Sequence, residues 1–206
     1  MTITDINMIL NYKDAKNKLL NTNIKGCRKF FASNGFIIEQ AYLELLEGDA
    51  EKAHEVFMST AQYDTRADWA LAMISFIFGR VDKPPSYFQI RNFLEIDLNL
   101  LIKYFKGDYV EKILRYSDYM FYINPEVYKF IGRVFWFNDL KQQSVFFLNK
   151  GKNCFFNDPE LHYLLAAAYL DNYDFENAHK ALNNCLYVLP DYYPALNLLK
   201  KLNKVN

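Results

Sequence analysis

Two neighbouring stretches within residues 159–188 carry apolar side chains at intervals of three or four positions. The first stretch has Leu161, Leu165, Ala168 and Tyr169, and the second has Phe175, Ala178, Leu182, Cys185 and Leu186. This spacing predicts two amphipathic helices, separated by the polar turn 171–174. Asp158 can cap the first helix, with Pro159 at its first position. Pro190 ends the second helix, so the segment predicts a helix pair.

The same arrangement recurs along the chain with a constant period. The run 124–126 (Asn-Pro-Glu) reappears 34 residues later as 158–160 (Asp-Pro-Glu), and segment 34–67 gives a third match. A period of about 34 residues is typical of a stacked helix–turn–helix array. Small residues fall at equivalent points, where they would let paired helices cross closely. These residues are Ala41, Ala53, Gly132, Ser144, Gly151, Ala166 and Ala178.

The chain therefore resembles the tetratricopeptide repeat family. With Pro159 counted as position 1, the family positions 7, 8, 11, 20 and 32 are taken by Leu165, Ala166, Tyr169, Ala178 and Pro190. His162 replaces the usual Trp of position 4, and Glu44 replaces the aromatic residue of position 11 in segment 34–67. The resemblance implies an all-α fold, a TPR-like α-solenoid of antiparallel helix pairs.

The repeats predict a division of the chain into helical segments. N-terminal helices are expected in 1–33 and a TPR-like repeat array in 34–206. Within the array the predicted segments are 34–67, an irregular segment 68–122, 125–158, 159–192 and a capping helix 193–205.

The register slips in the irregular segment. Helices are expected near 87–106 and 108–122, and the first is open to a break near Asp97. At the end of the chain, lysines 200, 201 and 204 would give the capping helix a polar outer surface.

Charge and composition restrict the partners. Lysine plus arginine number 24, as do aspartate plus glutamate, so the formal net charge is zero. Such a chain lacks the broad positive field that nucleic acid or an anionic membrane attracts, and neither is expected as a partner. Because neutral copies repel each other weakly, association into a homo-oligomer is left open.

The sequence gives three indications of location. No stretch of 18 residues is free of charge, so no membrane span is expected. No basic leader segment precedes an apolar run. Cys27, Cys154 and Cys185 are far apart and odd in number, which is typical of small buried thiols in a reducing compartment. We expect a cytoplasmic protein.

Motifs that carry chemistry are missing from the sequence. It contains no HExxH, CxxC, GxGxxG, GxxxxGK[ST] or GxSxG run. His54, His162 and His179 have no second histidine at metal-binding spacing, and surface or turn positions are expected for them. No enzyme activity, metal or cofactor is therefore expected, although an enzyme using cysteine or histidine remains an alternative.

The family resemblance implies a binding surface. In tetratricopeptide repeats, positions 2, 5, 9, 12 and 13 of the first helix face the concave side. The candidate protein- or peptide-binding residues are accordingly Tyr42, Trp69, Phe76, Arg80, Lys129, Arg133, Trp136 and Tyr163. Aromatic burial would supply affinity, while Arg80, Lys129 and Arg133 would orient an acidic or polar partner. Packing of these residues against the N-terminal helices or a second copy is the alternative.

These residues predict a non-catalytic scaffold that binds a protein or peptide. A weaker resemblance supports an alternative function: segment 48–71 is similar to the first repeat of the translocator chaperones of bacterial type III secretion. That resemblance implies a cytoplasmic chaperone that holds a secreted client unfolded until export.

Overall fold

The computed structural model describes the backbone of residues 3–202 and the side chains of residues 7–202. In this part of the chain, every regular element is an α-helix. The helices are α1 (Ile3–Leu20), α2 (Ile24–Ser33), α3 (Ile37–Glu47), α4 (Ala50–Thr60), α5 (Thr65–Ile77), α6 (Tyr87–Lys103), α7 (Gly107–Leu114), α8 (Ser117–Ile123), α9 (Val127–Phe137), α10 (Lys141–Cys154), α11 (Pro159–Asp171), α12 (Phe175–Val188) and α13 (Tyr193–Leu202).

The chain divides into two compact units. The first unit comprises Met1–Gln89 and Ile96–Tyr116, and the second comprises Ile90–Glu95 and Ser117–Asn206. Helix α6 therefore contributes residues to both.

Helix pairs build the first unit. Helices α1 and α2 pack together, α3 packs on α4, and α4 packs on α5. Only two residues, Gly48 and Asp49, connect α3 to α4, so these two helices run antiparallel. Gly48 adopts a left-handed conformation with φ 110°, which a residue with a Cβ adopts only under strain. The core of this unit includes Phe31, Phe57 and Trp69.

The second unit repeats the same pairing in α9 with α10 and in α11 with α12, while α13 packs on α12. Three residues connect the two helices of each pair, so they also run antiparallel. The backbone of α9 lies close to α10 at Gly132, whose carbonyl accepts a hydrogen bond of 2.9 Å from Ser144 Oγ. Ala166 and Ala178 are fully buried. In the described part of the chain, the predicted all-α fold of antiparallel helix pairs is confirmed.

Aspartate caps start four of these helices. Asp49, Asp64, Asp158 and Asp174 accept hydrogen bonds from backbone N–H groups in the first turns of α4, α5, α11 and α12. Such a bond satisfies an N–H group that has no partner within the helix. The predicted cap at Asp158, with Pro159 at the first helical position, is confirmed.

The irregular segment differs from its prediction. Helix α6 starts at a capping box formed by Ser86 and Gln89 and continues through Asp97 without a break. No break is needed, because the buried side chains of Tyr42 and Trp69 donate hydrogen bonds to the Asp97 carboxylate. The helix expected over 108–122 is instead divided into α7 and α8, and Tyr116 in the intervening turn stacks on Phe76 of α5 with ring centroids 4.6 Å apart.

The capping helix is present as α13, where Lys200 and Lys201 are exposed as predicted. Lys204 lies outside the described residues. The division of the chain into repeats at residues 34, 68, 125 and 159 remains a prediction.

The side chain of Glu44, at a position where the repeat pattern predicts an aromatic residue, contacts two neighbouring helices. In place of an aromatic ring, its carboxylate binds Arg28 Nη1 of α2 at 2.8 Å and Lys52 Nζ of α4 at 2.9 Å. These hydrogen bonds, from Arg28 first and Lys52 second, lower the pKa of the Glu44 carboxyl. An ion-pair bridge thus connects α2, α3 and α4.

Gly132→Ala should destabilise the second unit. A Cβ at this position would lie 2.6 Å from Leu148 Cγ and 3.1 Å from the Leu148 backbone nitrogen. Such overpacking costs about 1–3 kcal/mol, which chemical denaturation would measure. Gly107→Ala is the matched control, because no atom lies within 4 Å of its added Cβ. An equal effect of both substitutions would contradict the close helix crossing.

Glu44→Gln should change the pH dependence of stability. Because folding lowers the pKa of the Glu44 carboxyl, the charged carboxylate stabilises the folded state at pH values above 4.5, the ordinary pKa of the group. This stabilisation is lost as the pH falls through the lowered pKa of the folded state. We expect a loss of about 0.5–1 kcal/mol at pH 7, shrinking towards pH 3 in urea denaturation series. Glu111→Gln, in the exposed pair with Arg115, is the control. A pH-independent difference would contradict the bridge.

Candidate protein-binding surface

Lys129 lies at the centre of an ion-pair network in the second unit. It is buried on α9, and its Nζ lies 2.9 Å from Glu126, 2.8 Å from Asp158 and 3.2 Å from Glu160. Burial would lower the pKa of the Lys129 ammonium, but its hydrogen bonds to Asp158 and Glu126 outweigh burial, so the pKa is raised. The ammonium therefore stays charged and is already held by three carboxylates.

Arg133 extends this network by one helical turn. Its Nε donates to Glu95 of α6 and its Nη1 to Glu160 of α11, both at 2.6 Å. Burial raises the pKa of Glu95, while the hydrogen bond from Arg133 opposes that shift. Because Glu160 contacts both cations, α9 and α11 are joined across the predicted binding surface.

The ion-pair network carries net negative charge, whereas the sequence predicted positive charge that would orient an acidic or polar partner. Lys129 and Arg133 together contact four carboxylates, those of Glu95, Glu126, Asp158 and Glu160. Two positive charges against four negative ones leave the network net negative. An acidic partner would be repelled here, so the expectation that these two cations orient such a partner lacks support.

Aromatic side chains flank the network on the same helices. Trp136 is half-buried, and its Nε1 donates to Asp171 Oδ2 at the end of α11 over 2.7 Å. The neighbouring Phe137 is 70% exposed, with its ring centroid 5.1 Å from that of Trp136. Tyr163, also half-buried, packs edge-on against Tyr192 at 5.7 Å. The structure thus brings Lys129, Arg133, Trp136 and Tyr163 onto two adjacent helices.

Two of the predicted residues of the first unit, Tyr42 and Trp69, lie inside it. Tyr42 of α3 and Trp69 of α5 are buried, and both donate to Asp97 Oδ2 of α6, Tyr42 from its hydroxyl over 3.0 Å and Trp69 from Nε1 over 2.6 Å. Arg66 forms an ion pair with the other oxygen of Asp97 and lies over the Tyr42 ring, 4.6 Å from its centroid. We call Tyr42, Arg66, Trp69 and Asp97 the Asp97 cluster.

Burial shifts two pKa values in this cluster. It raises the pKa of the Tyr42 phenol well above its ordinary value, with the Asp97 charge adding to the effect. It also raises the pKa of Asp97, although Arg66 and the hydrogen bonds from Trp69 and Tyr42 favour the carboxylate. The Asp97 carboxylate therefore already accepts the hydrogen bonds of Tyr42 and Trp69, which a binding partner of α3 and α5 would otherwise accept.

Phe76 and Arg80 complete the predicted set. Phe76 is fully buried against Tyr116, so its side chain is not presented to a partner. Arg80 is exposed beyond the end of α5 and donates from Nε to Asp82 at 2.7 Å.

Sequence reasoning missed the buried acid of the Asp97 cluster and its cation, Arg66. One signal was present: Asp97 stands in the apolar stripe of α6 between Leu94 and Leu101, where an acid must find partners if it is buried. The partners themselves lie 28 to 55 residues away in the chain, beyond any local pattern.

Two expectations about cysteine and histidine are wrong. Cys154 is exposed, unlike the buried Cys27 and Cys185, because it is the last residue of α10. His162 is buried rather than at the surface, and its Nε2 lies 2.7 Å from the Phe156 carbonyl oxygen. Within residues 7–202, histidine, cysteine and acidic side chains form no group of three suited to a metal ion. In the same part of the chain, no helix has the length and apolar character needed to cross a bilayer.

Comparison with known proteins finds similarity among solved structures. No protein-family model matches the chain, and no curated protein matches it. Among solved structures, a chain in the crystal structure of the APC/C hetero-tetramer Cut9-Hcn1 is similar, with 16% identical residues and a TM-score of 0.44. The match covers 95% of this chain and 42% of that chain, so this chain spans less than half of its neighbour's length.

Asp97→Ala should strongly destabilise the first unit, because it leaves the Arg66 cation and two buried donors without their carboxylate. Breaking a buried ion pair from one side costs about 3–5 kcal/mol, measurable by urea denaturation. Asp82→Ala is the control, since the Asp82–Arg80 pair is about half exposed on both sides, and it should cost about 0–1 kcal/mol. Similar small losses for both variants would contradict the role given to Asp97.

Proposed function

We propose that this chain is a non-catalytic interaction protein that binds a protein or peptide partner through the second unit. The binding surface would consist of Trp136 on α9 and Tyr163 on α11, with Arg133 and the buried Lys129 holding the carboxylates between them in position. The observation that carries the proposal is the anchored Trp136, which is half-buried, hydrogen-bonded to Asp171, and adjacent to the exposed Phe137.

Anchoring favours binding for a physical reason. A side chain already fixed in one rotamer loses little entropy when a partner covers it. Trp136 is fixed by its bond to Asp171, and Tyr163 by its contact with Tyr192. Tryptophan, tyrosine and arginine are also the residues that most often dominate interface energies. These side chains therefore support a partner that buries aromatic rings.

The ion-pair network adds a preference for the partner's charge. Because its four carboxylates outnumber its two cations, a partner with lysine or arginine beside its apolar residues would be attracted. We therefore propose a neutral or basic partner segment. The two cations would act within the protein by holding α9, α11 and the carboxylates in position.

The first unit would serve this function differently. Its predicted binding residues Tyr42 and Trp69 are already engaged by Asp97 of α6. We propose that α6 acts there as an internal ligand of α3 and α5. A cytoplasmic location, a chaperone role for a secreted client and self-association remain predictions from the sequence.

Affinity capture from a native lysate tests the surface. Trp136→Ala should reduce recovery of the bound partner at least about tenfold, as expected for an aromatic residue that dominates an interface. Arg133→Ala should also weaken capture, because Glu95 and Glu160 would lose the cation that positions them. Quantitative mass spectrometry of the eluates would measure both effects.

Tyr173→Ala is the matched control for the aromatic change, because Tyr173 lies in the α11–α12 turn and is 79% exposed. Lys180→Ala, in the exposed pair with Glu176, is the control for the cation. Both should leave capture unchanged. Equal recovery of the same partners with wild type and Trp136→Ala, with the helical content of the variant intact, would reject the surface.

A further inference from the structure

A cavity of about 330 Å³ lies within the first unit. Helices α1, α3 and α6 line it, with Arg66 of α5 at one side. Its inner wall is apolar and includes Leu19, Ile38 and Leu100, of which Leu19 and Leu100 are buried. At the opening, Leu20 is 39% and Ile96 is 48% exposed. A space of this size with an apolar wall is typical of small-molecule sites.

The polar lining of the cavity consists mainly of donor-bearing side chains. Lys16, Arg66 and Asn99 line it together with a single carboxylate, that of Glu39. Glu39 Oε1 already accepts a hydrogen bond of 2.6 Å from the Tyr12 hydroxyl. The Glu39 carboxylate is therefore already engaged by a neighbouring side chain of the first unit.

Lys16 is the cation best placed to meet a ligand. Its Nζ lies 3.6 Å from Glu39 Oε1, longer than a typical N–H···O hydrogen bond, and 5.3 Å from the centroid of the Tyr12 ring. These are loose contacts for an ammonium that carries three donors. Arg66, by contrast, is engaged by Asp97. An anionic group at the opening would thus bind Lys16.

We propose that this cavity binds a medium-chain aliphatic carboxylate. The chain would lie among Leu19, Ile38 and Leu100, and the carboxylate would accept hydrogen bonds from Lys16 at the opening. The Asp97 cluster contributes two groups to the lining, Tyr42 and Arg66, which close one side of the space. All residues of this site belong to the first unit, and the proposal does not depend on the one made for the second unit.

Titration of the full chain with octanoate, octanamide and octylammonium tests the proposal. The three probes share one chain and differ in charge, and methyl NMR of the wild-type protein follows them. We expect saturable shifts at the methyl groups of Leu19, Ile38 and Leu100, with octanoate binding most tightly. Each methylene removed from the chain should weaken binding about fourfold, because less apolar area is buried. Hexanoate, which is shorter than octanoate, should therefore bind more weakly.

Two charge variants provide a matched pair. Lys16→Glu should weaken octanoate about two- to fivefold, the range for a solvent-accessible charge pair, and should strengthen octylammonium. Lys13→Glu makes the same change on α1 at an exposed residue that does not line the cavity, and should leave both affinities unaltered. Ile96→Trp, which adds volume at the opening, should abolish binding of all three probes.

Several results would overturn the proposal. Shifts spread over the surface without saturation would show that the cavity is not a site. Equal affinities for octanoate and octanamide, or equal effects of Lys16→Glu and Lys13→Glu, would reject the carboxylate class. Because the shifts are read in the wild-type protein, the outcome stands even where Ile96→Trp fails to fold.

Discussion

The close approach of paired helices at small residues is the constraint on which the second unit depends. Gly132 lets α9 lie against Leu148 of α10, and Ala166 and Ala178 take equivalent buried places in the next pair. A larger residue at such a crossing would displace a whole helix, since protein interiors are densely packed. The pairing in turn sets which side chains of α9 and α11 lie next to each other, including the ions and aromatics of the candidate surface.

Buried charge is handled differently in the two units. In the first, a single carboxylate at Asp97 receives hydrogen bonds from aromatic donors and an ion pair from Arg66, which fixes α6 against α3 and α5. In the second, Lys129 is surrounded by three carboxylates, one of them the helix cap Asp158. Desolvated ions require such partners, so each cluster restricts how its helices can be arranged.

Local features of this fold could be predicted from sequence because their causes are local. Apolar spacing located the helix pairs, Asp158 with Pro159 located a helix start, and small residues located the crossings. Partners distant in the chain could not be located in this way. The engagement of Tyr42 and Trp69 by Asp97, and of Arg133 by Glu95, requires the folded arrangement. The surface prediction therefore named candidate residues without showing which of them are already engaged by other side chains.

The two tryptophans of the chain fall in different units, which gives each unit its own optical reporter. Trp69 is fully buried with its indole N–H on a carboxylate, whereas Trp136 is half-buried near solvent. Indole emission moves to longer wavelengths in water, so the two residues should emit at separable maxima. Replacing one tryptophan by phenylalanine at a time would then show whether the units melt together or independently.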